Sequence, residues 1–450
     1  MWGGGPDRNM VSEARNLPVA WDVARKANVR WVAELGTQTF GNPVVSGGKI
    51  FIGTNNGQPR NPAITGDKGV LMCFAASDGR FLWQAVHDKL AAGNSQDWQD
   101  IGLCSAPCVV GNRLYYVSNR GELVCADTEG FLDNQNDGPI TDEPRAGKTD
   151  ADLVWVLDMI GALGVVPMYA SASSPLVVGD LVFVLTGNGV DDKTGEVKTA
   201  KAPSFAAVHR ETGAVVWTDN SPGERILAGQ WSSPAYGIVN GEPQVVFPGG
   251  DGWLYAFEPQ TGKLIWKFNC QANQTPPGNG KQPKNQLVAT PVYYDNKVFI
   301  AIGQDPESGD GEGCLWAVDA TGRGDVTGSA GRWHIAGKEF GRSASTVAIR
   351  DGLLYAAEVG GYLNCLDVRT GQRYWRFDLK ATVWASPLVA DGRVYISNAD
   401  GDVWVFKHGK DKADVLATNH LPGSVHGTVI ATDGVLYLAD RSHLYAIAPP

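Results

Sequence analysis

Apolar residues recur at every second position in short runs along the chain, and each run ends in a turn. In Trp253-Leu254-Tyr255-Ala256-Phe257 the aromatic residues alternate, as on a strand that buries one face. Pro259 to Gly262 supplies a tight turn, with Gly262 free to take positive φ. Leu264 and Trp266 resume the alternation, and the small Ala256 leaves room for the Trp266 indole. The same strand–turn–strand unit returns at Ala207–Trp217, Cys365–Trp375 and, more weakly, Cys73–Trp83, with degenerate copies starting at Cys125 and Ala317. A small residue, an acid two positions later, Thr-Gly, then Trp four positions after the Gly is a repeat signature.

A second column of repeats runs out of phase with the first. Phe40-Gly41-Asn42-Pro43, Cys104-Ser105-Ala106-Pro107, Ala172-Ser173-Ser174-Pro175 and Trp231-Ser232-Ser233-Pro234 align with four further copies starting at Val288, Ala344, Trp384 and His426. Their second position holds only Gly, Ser or Ala, which suits innermost strands crowded around an axis. Each copy leads to a hairpin turn such as Gly47-Gly48, Asn240-Gly241 or Asp391-Gly392. The pattern predicts four-stranded antiparallel blades, with strands A to D running outward from the axis. Strands of type D carry Trp31, Trp83, Trp155, Trp217, Trp266, Trp333 and Trp375, whereas the segment around Val415 lacks a tryptophan. The last blade, Ser424 to Ala448, has no D strand, and Asn28–Leu35 is a D strand with nothing before it. Joining the two closes the ring and removes free edges.

The predicted fold is therefore all-β: one eight-bladed β-propeller over residues 28–450, with an insert at 131–152 in the second blade. Residues 1–27 form an irregular leader packed on the propeller, its aromatics expected on the outside of the body. Long loops fall between B and C and between D and the next A, at the end where A strands begin. The opposite face is closed by hairpins. Binding is more often built from long loops on a rigid scaffold.

A net charge of -10 argues against a nucleic-acid partner. The uncharged stretch 159–179 is broken by Pro167 and Pro175, so no transmembrane segment is expected. The opening Met-Trp-Gly-Gly-Gly reads as a mature start without a signal peptide. Of seven cysteines, Cys73, Cys125 and Cys365 fall at the small-residue position of the repeat, where packing against the tryptophan explains them.

The A-x-D-x-x-T-G-x-x-x-W unit resembles the tryptophan-docking motif of pyrroloquinoline-quinone (PQQ) enzyme propellers, over nearly the whole chain from Asn28. Trp2-Gly3-Gly4, Gly229–Pro234 and Gly303–Glu307 resemble a group of secreted PQQ-like propellers common in planctomycete-type bacteria. The resemblance implies a periplasmic or secreted protein. Non-enzymatic relatives share the motif, including the lipoprotein scaffold of the outer-membrane β-barrel assembly machine. Dehydrogenases of this type carry adjacent cysteines over the quinone and a calcium site, whereas no two cysteines are adjacent here and no C-x-x-C-H motif is present.

Two readings follow. One is a binding or scaffold module that presents its loop-rich face to a protein, glycan or small-molecule ligand; the missing cysteine pair favours it. The other is a PQQ- and calcium-dependent dehydrogenase of alcohols or sugars, with His426 or Asp305 near the chemistry. Phe40, Trp231, Trp384 and His426 share one column and should sit at similar depth around the mouth of the axis, to stack a planar ligand or a sugar. Gln230, Gln304, Arg342 and Glu224 are polar candidates from neighbouring loops. A plainer reading has the aromatics plug the channel and His426 serve as packing. In the insert, Asp133, Gln135 and Asp137, with Gly138 and Glu143, resemble a calcium loop whose closing acid is displaced by one position.

Overall fold

Eight sheets surround one axis in the computed structural model, which describes residues 1–272, 285–304 and 306–449. The first blade is Val44–Ser46, Lys49–Asn55, Lys68–Ala75 and Phe81–Asp88, paired in that order. Blades 2 to 7 repeat the plan over residues 108–158, 176–219, 235–269, 292–341, 348–378 and 388–420. Blade 8 combines Ile430–Thr432, Val435–Ala439 and His443–Ile447 with Val29–Glu34, which pairs antiparallel to His443–Ile447. The ring is closed by its N-terminal strand, as the repeat pattern predicts. Six of the eight A–B hairpins have both central residues at positive φ, as type I′ turns require.

The repeat signature is a joint between neighbours. Each docking tryptophan lies opposite a small residue of its own C strand: Trp217 opposite Ala207, Trp83 opposite Cys73, Trp375 opposite Cys365. Its indole then reaches the C–D turn of the following blade. Trp31, Trp83, Trp155, Trp217, Trp333 and Trp375 donate to the carbonyls of Ala76, Thr128, Arg210, Pro259, Val368 and Gly409 at 2.8–3.1 Å. A Cβ on Gly79, Gly213, Gly262 or Gly371 would lie 2.5–2.7 Å from the indole of the preceding blade. The glycine of Thr-Gly thus serves two needs, a positive φ and a bare surface for the neighbour's ring. Trp266 departs from the scheme and donates to Gln244 Oε1 in its own blade at 2.9 Å. Burial pushes the thiols of Cys125 and Cys365 up to about 12, which fits packing rather than reactivity.

A polar belt ties the A strands together around the axis. Backbone N–H groups of Ala106, Ser174, Thr290, Thr346, Ser386 and Thr428 donate to side-chain oxygens of Ser174, Ser233, Thr346, Ser386, Thr428 and Asn42 on the next blade, at 2.7–3.1 Å. The Ser/Thr column is therefore a set of acceptors for inner-strand donors that have no sheet partner on the axial side.

The leader corrects one expectation. Its aromatics are not on the outside: Trp2 and Trp21 are only 9% and 6% exposed. Residues 6–12 run along the inner strands of five successive blades. Tyr236 and Tyr293 donate their N–H to the carbonyls of Pro6 and Asp7 at 2.8 and 3.1 Å. Ile349 N–H donates to Asn9 Oδ1 at 2.8 Å, Val389 N–H to Met10 O at 3.0 Å, and Ser12 Oγ to Ala431 O at 2.8 Å. Arg8 is fully buried, and its guanidinium donates to the carbonyls of Trp2, Ser174, Pro175 and Pro234 at 2.9–3.1 Å. Burial lowers its pKa to about 10, so it stays charged at neutral pH and is held by carbonyl dipoles. Leu17 and Trp21 then pack between blades 7 and 8, in a cluster with Val403, Leu421, Val425 and Tyr445. The irregular sequence of the leader gives no period to read because its polar groups complete other strands.

The insert lies along the outer strand of blade 1, where Gln84 N–H donates to Thr149 O at 3.0 Å and Ala151 N–H to Gln84 O at 2.9 Å. It covers an edge that would otherwise be open. Among the described residues no helix is long and apolar enough to cross a membrane.

Candidate functional site: the axial mouth and the loop face

The eight residues that precede the small column form a ring at the mouth of the axis. Phe40, Cys104, Ala172, Trp231, Val288, Ala344, Trp384 and His426 are all part-exposed, and each following residue is buried. Three aromatic members come from consecutive blades and pack together. His426 stacks on Phe40 at 5.0 Å between ring centroids and 16° between planes. Trp384 lies 4.9 Å from His426 and 6.2 Å from Phe40. Trp231 belongs to blade 4, across the ring, and its indole is tied to Met168 O at 3.0 Å. The structure thus separates it from the other three.

His426 has a defined tautomer. The Ser424 hydroxyl donates to Ala399 O, so at its 3.3 Å contact with the imidazole Nε2 it can only accept. Nε2 carries the proton, and Nδ1 is buried with no hydrogen-bond partner. Burial first, then Arg441, push the imidazole pKa down to about 4. At neutral pH the ring is uncharged and offers one free acceptor.

PQQ is a planar tricarboxylate, and its calcium requires convergent oxygen ligands. The mouth ring contains no formally charged side chain. Among the described residues no three His, Cys, Asp or Glu side chains converge as metal ligands would. The residues present do not fit the quinone–calcium pair.

The polar candidates mostly serve the scaffold. Gln230 is buried; its Nε2 donates to Asn188 O and Ser204 Oγ at 2.7 and 3.0 Å, and its Oε1 accepts from Gly250 N–H at 3.2 Å. Arg342 fastens the B–C loop of blade 5 through the carbonyls of Ser308, Gly309 and Asp310. Gln304 is part-exposed at the end of the preceding strand, and Glu224 is exposed in a short turn. Asp305 lies outside the described residues.

In the acidic insert, three of the four candidate ligands have partners within the chain. Asp137 pairs with Arg113 at 3.1 Å, and Asp133 Oδ1 accepts from Gln135 N–H in a local turn. Glu143 accepts from Asn136 Nδ2 at 3.1 Å. Gln135 is exposed. Pairing with a cation and local turn closure absorb the oxygens that the spacing marked as ligands.

A second aromatic group was missed by the repeat alignment because it lies in loops between blades. Trp98, in the loop from blade 1 to blade 2, is 43% exposed and meets Tyr169 edge to face at 5.3 Å. Tyr169 follows Met168, the residue that receives the Trp231 indole. The signal in the sequence was a tryptophan outside the docking register, flanked by amides and acids in Gln96-Asp97-Trp98-Gln99-Asp100.

A family model described as outer membrane protein assembly factor BamB matches residues 149–320 and 305–449. The chain belongs to this family. It is 29% identical over 197 residues to the outer membrane protein assembly factor BamB of Xanthomonas campestris pv. campestris, covering 38% of this chain and 47% of that protein. It is 28% identical over 164 residues to the tetrathionate hydrolase of Acidithiobacillus ferrooxidans, covering 36% of this chain and 27% of that one. The matches thus span less than half the length of either curated relative. BamB from Moraxella catarrhalis superposes with a TM-score of 0.58 at 16% identity, over 92% of this chain and 98% of that one. A quinohemoprotein alcohol dehydrogenase from Comamonas testosteroni gives 0.65 at 13%, over 100% and 80%. The computationally designed Ika8 protein gives 0.58 at 12%, over 93% and 99%. At these identities the likeness is one of fold, and the BamB-type propeller shares it with an enzyme and with a design alike.

Proposed function

We propose that this BamB-family propeller is an extracytoplasmic binding scaffold that holds a protein partner on its loop face. The observation that carries the reading is the mouth ring: uncharged, part-exposed, and aromatic over three consecutive blades. Aromatic anchors of this kind dominate protein recognition, while a charged, convergent cradle is what a quinone cofactor would need. The name of the family, an assembly factor for outer membrane proteins, supports a role outside the cytoplasm and among proteins.

The test places a photo-crosslinking amino acid at loop-face positions Gln99 and Glu224 and at hairpin-face positions Asp180 and Asp391, in the cells that make the protein. Adducts confined to the loop face are the expected result. Adducts at the hairpin face alone would overturn the assignment of the working face. Calorimetry of the purified chain with PQQ and calcium is expected to show no binding. Stoichiometric binding followed by dye-linked oxidation of an alcohol would replace the scaffold with the dehydrogenase.

A further inference from the structure

The insert of blade 2 stands outside the repeat plan, and it builds one wall of a cleft. The cleft measures about 530 Å³. Its lining includes Ile64, Lys68 and Asp88 from blade 1 and Arg145 and Asp150 from the insert. It opens at the loop end of blade 1, where strand C begins at Lys68 and strand D ends at Asp88. These are outer strands, away from the mouth ring. Residues 133–149 of the insert are mostly exposed, so ordering them costs conformational entropy that little apolar burial offsets. What they bring to the cleft is charge.

Four ionisable side chains line the cleft, two of each sign. Lys68 Nζ and Asp88 Oδ1 pair with each other at 2.9 Å. Lys68 first, and Arg145 with it, hold the Asp88 carboxyl below its usual range, which puts the guanidinium within reach of the same space. Arg145 and Asp150 are left over. The Arg145 guanidinium makes one hydrogen bond, from Nη1 to Val86 O at 3.4 Å. Asp150 Oδ2 accepts the Gly147 N–H at 3.0 Å. Among the described residues neither stands in an ion pair, and both are part-exposed. Arg113, Arg376 and Arg393 differ in this respect, since each meets a carboxylate, of Asp127, Glu358 and Asp391.

An unpaired guanidinium and an unpaired carboxylate in one cleft are complementary to a ligand that carries both signs. A ligand carboxylate fits the guanidinium fork, which can bond it through two parallel N–H groups. A ligand ammonium is met by Asp150. The two carboxylates of the lining disfavour a phosphate dianion, which would face them with twice the charge. The volume falls within the roughly 300–1,000 Å³ of small-ligand clefts and exceeds what one amino acid fills. Ala63 and Ile64 add an apolar stretch of wall for ligand side chains.

We propose that the cleft between the insert and blade 1 binds a short zwitterionic peptide, with its carboxylate on Arg145 and its ammonium on Asp150. The insert thereby gains a ligand of its own, and this site does not depend on a protein partner at the mouth.

The test titrates the intact chain with trialanine, followed by calorimetry and saturation-transfer NMR, beside trialanine amide, N-acetyl-trialanine and inorganic phosphate. One saturable site for trialanine is expected. Removing either ligand charge should weaken binding about ten-fold or more, the scale of a lost charged hydrogen bond. Phosphate should not displace the peptide. Arg145→Ala should also weaken binding about ten-fold or more. Asp150→Asn, which keeps an acceptor for the Gly147 N–H, should weaken it several-fold. Arg145→Gln repeats the measurement with most of the stem in place if Arg145→Ala lowers the melting temperature. Lys148→Ala, at an exposed position of the same insert, should leave binding unchanged. Absence of saturable binding at millimolar trialanine overturns the proposal. So does equal binding of the amide or the acetylated peptide, displacement by phosphate, undiminished binding in Arg145→Gln, or an equal loss in Lys148→Ala.

Discussion

The seam between blades 3 and 4 and the seam between blades 7 and 8 are the same joint built in two ways. At the first, Trp217 crosses to Pro259, lies flat over Gly262, and packs in a cluster with Phe183, Phe247 and Phe257. Everything it needs comes from the two blades. At the second, Ala417 faces Val405 where other blades have their tryptophan, and no indole crosses. The leader fills the space. Asn419 accepts from Trp21 N–H and donates to Val19 O, and Tyr395 donates to Pro18 O. A local motif can join neighbours that follow one another in the chain. Blade 8 is the one blade built from both ends of the chain, and at its seam with blade 7 a segment remote in sequence takes over. The comparison also explains why the leader is apolar at Leu17 and Trp21 but polar at Arg8 and Asn9: it caps inner strands first and wedges a seam afterwards.

Removing residues 1–34 tests the remote joint most severely. It strips the seam wedge, the axial contacts and the outer strand of blade 8 together. The expected outcome is loss of the cooperative thermal transition, and a truncated chain that melts like the intact one would refute closure. At the local joint, Trp217→Ala is expected to cost roughly 3–5 kcal/mol in denaturant titration, the range for large core aromatics. A narrower test uses two glycines with nearly equal φ. Gly262 (φ +69) carries the Trp217 ring, and Gly392 (φ +68) has nothing within 4 Å of a built Cβ. Gly392→Ala should cost about 1 kcal/mol for the left-handed backbone, and Gly262→Ala roughly 2–3 kcal/mol, because the ring must also move. Equal losses would show that the docking contact contributes nothing.

The smallest effect concerns the mouth, beside the remote seam. Burial disfavours the His426 imidazolium, so the unfolded chain takes up the proton first. Stability should be level above about pH 6.5 and fall as the pH drops to about 4. The loss is expected to be about 1–2 kcal/mol once partial solvent exposure is allowed for. His426→Gln should flatten this part of the pH profile, as read by melting temperature, and an unchanged profile would place the acid sensitivity elsewhere.

The sequence by itself determined the blades. A period-two alternation, hairpin dipeptides and a tryptophan at fixed spacing from Thr-Gly are all local, and each blade folds from contiguous residues. The count of eight, the strand that closes the ring and the packing role of the repeat cysteines were legible for that reason. Tertiary structure alone decided the rest. It drew the leader inward, because unpaired inner-strand donors and a seam without a tryptophan need partners that no local pattern announces. It spent Gln230 and Arg342 on loops and Asp137 on Arg113, because charge and hydrogen-bond pairing depend on which loops meet. It brought Trp98 against Tyr169 from loops on either side of blade 2. The division follows contact range: what depends on neighbours in the chain can be read along it, and what depends on neighbours across the ring waits for closure.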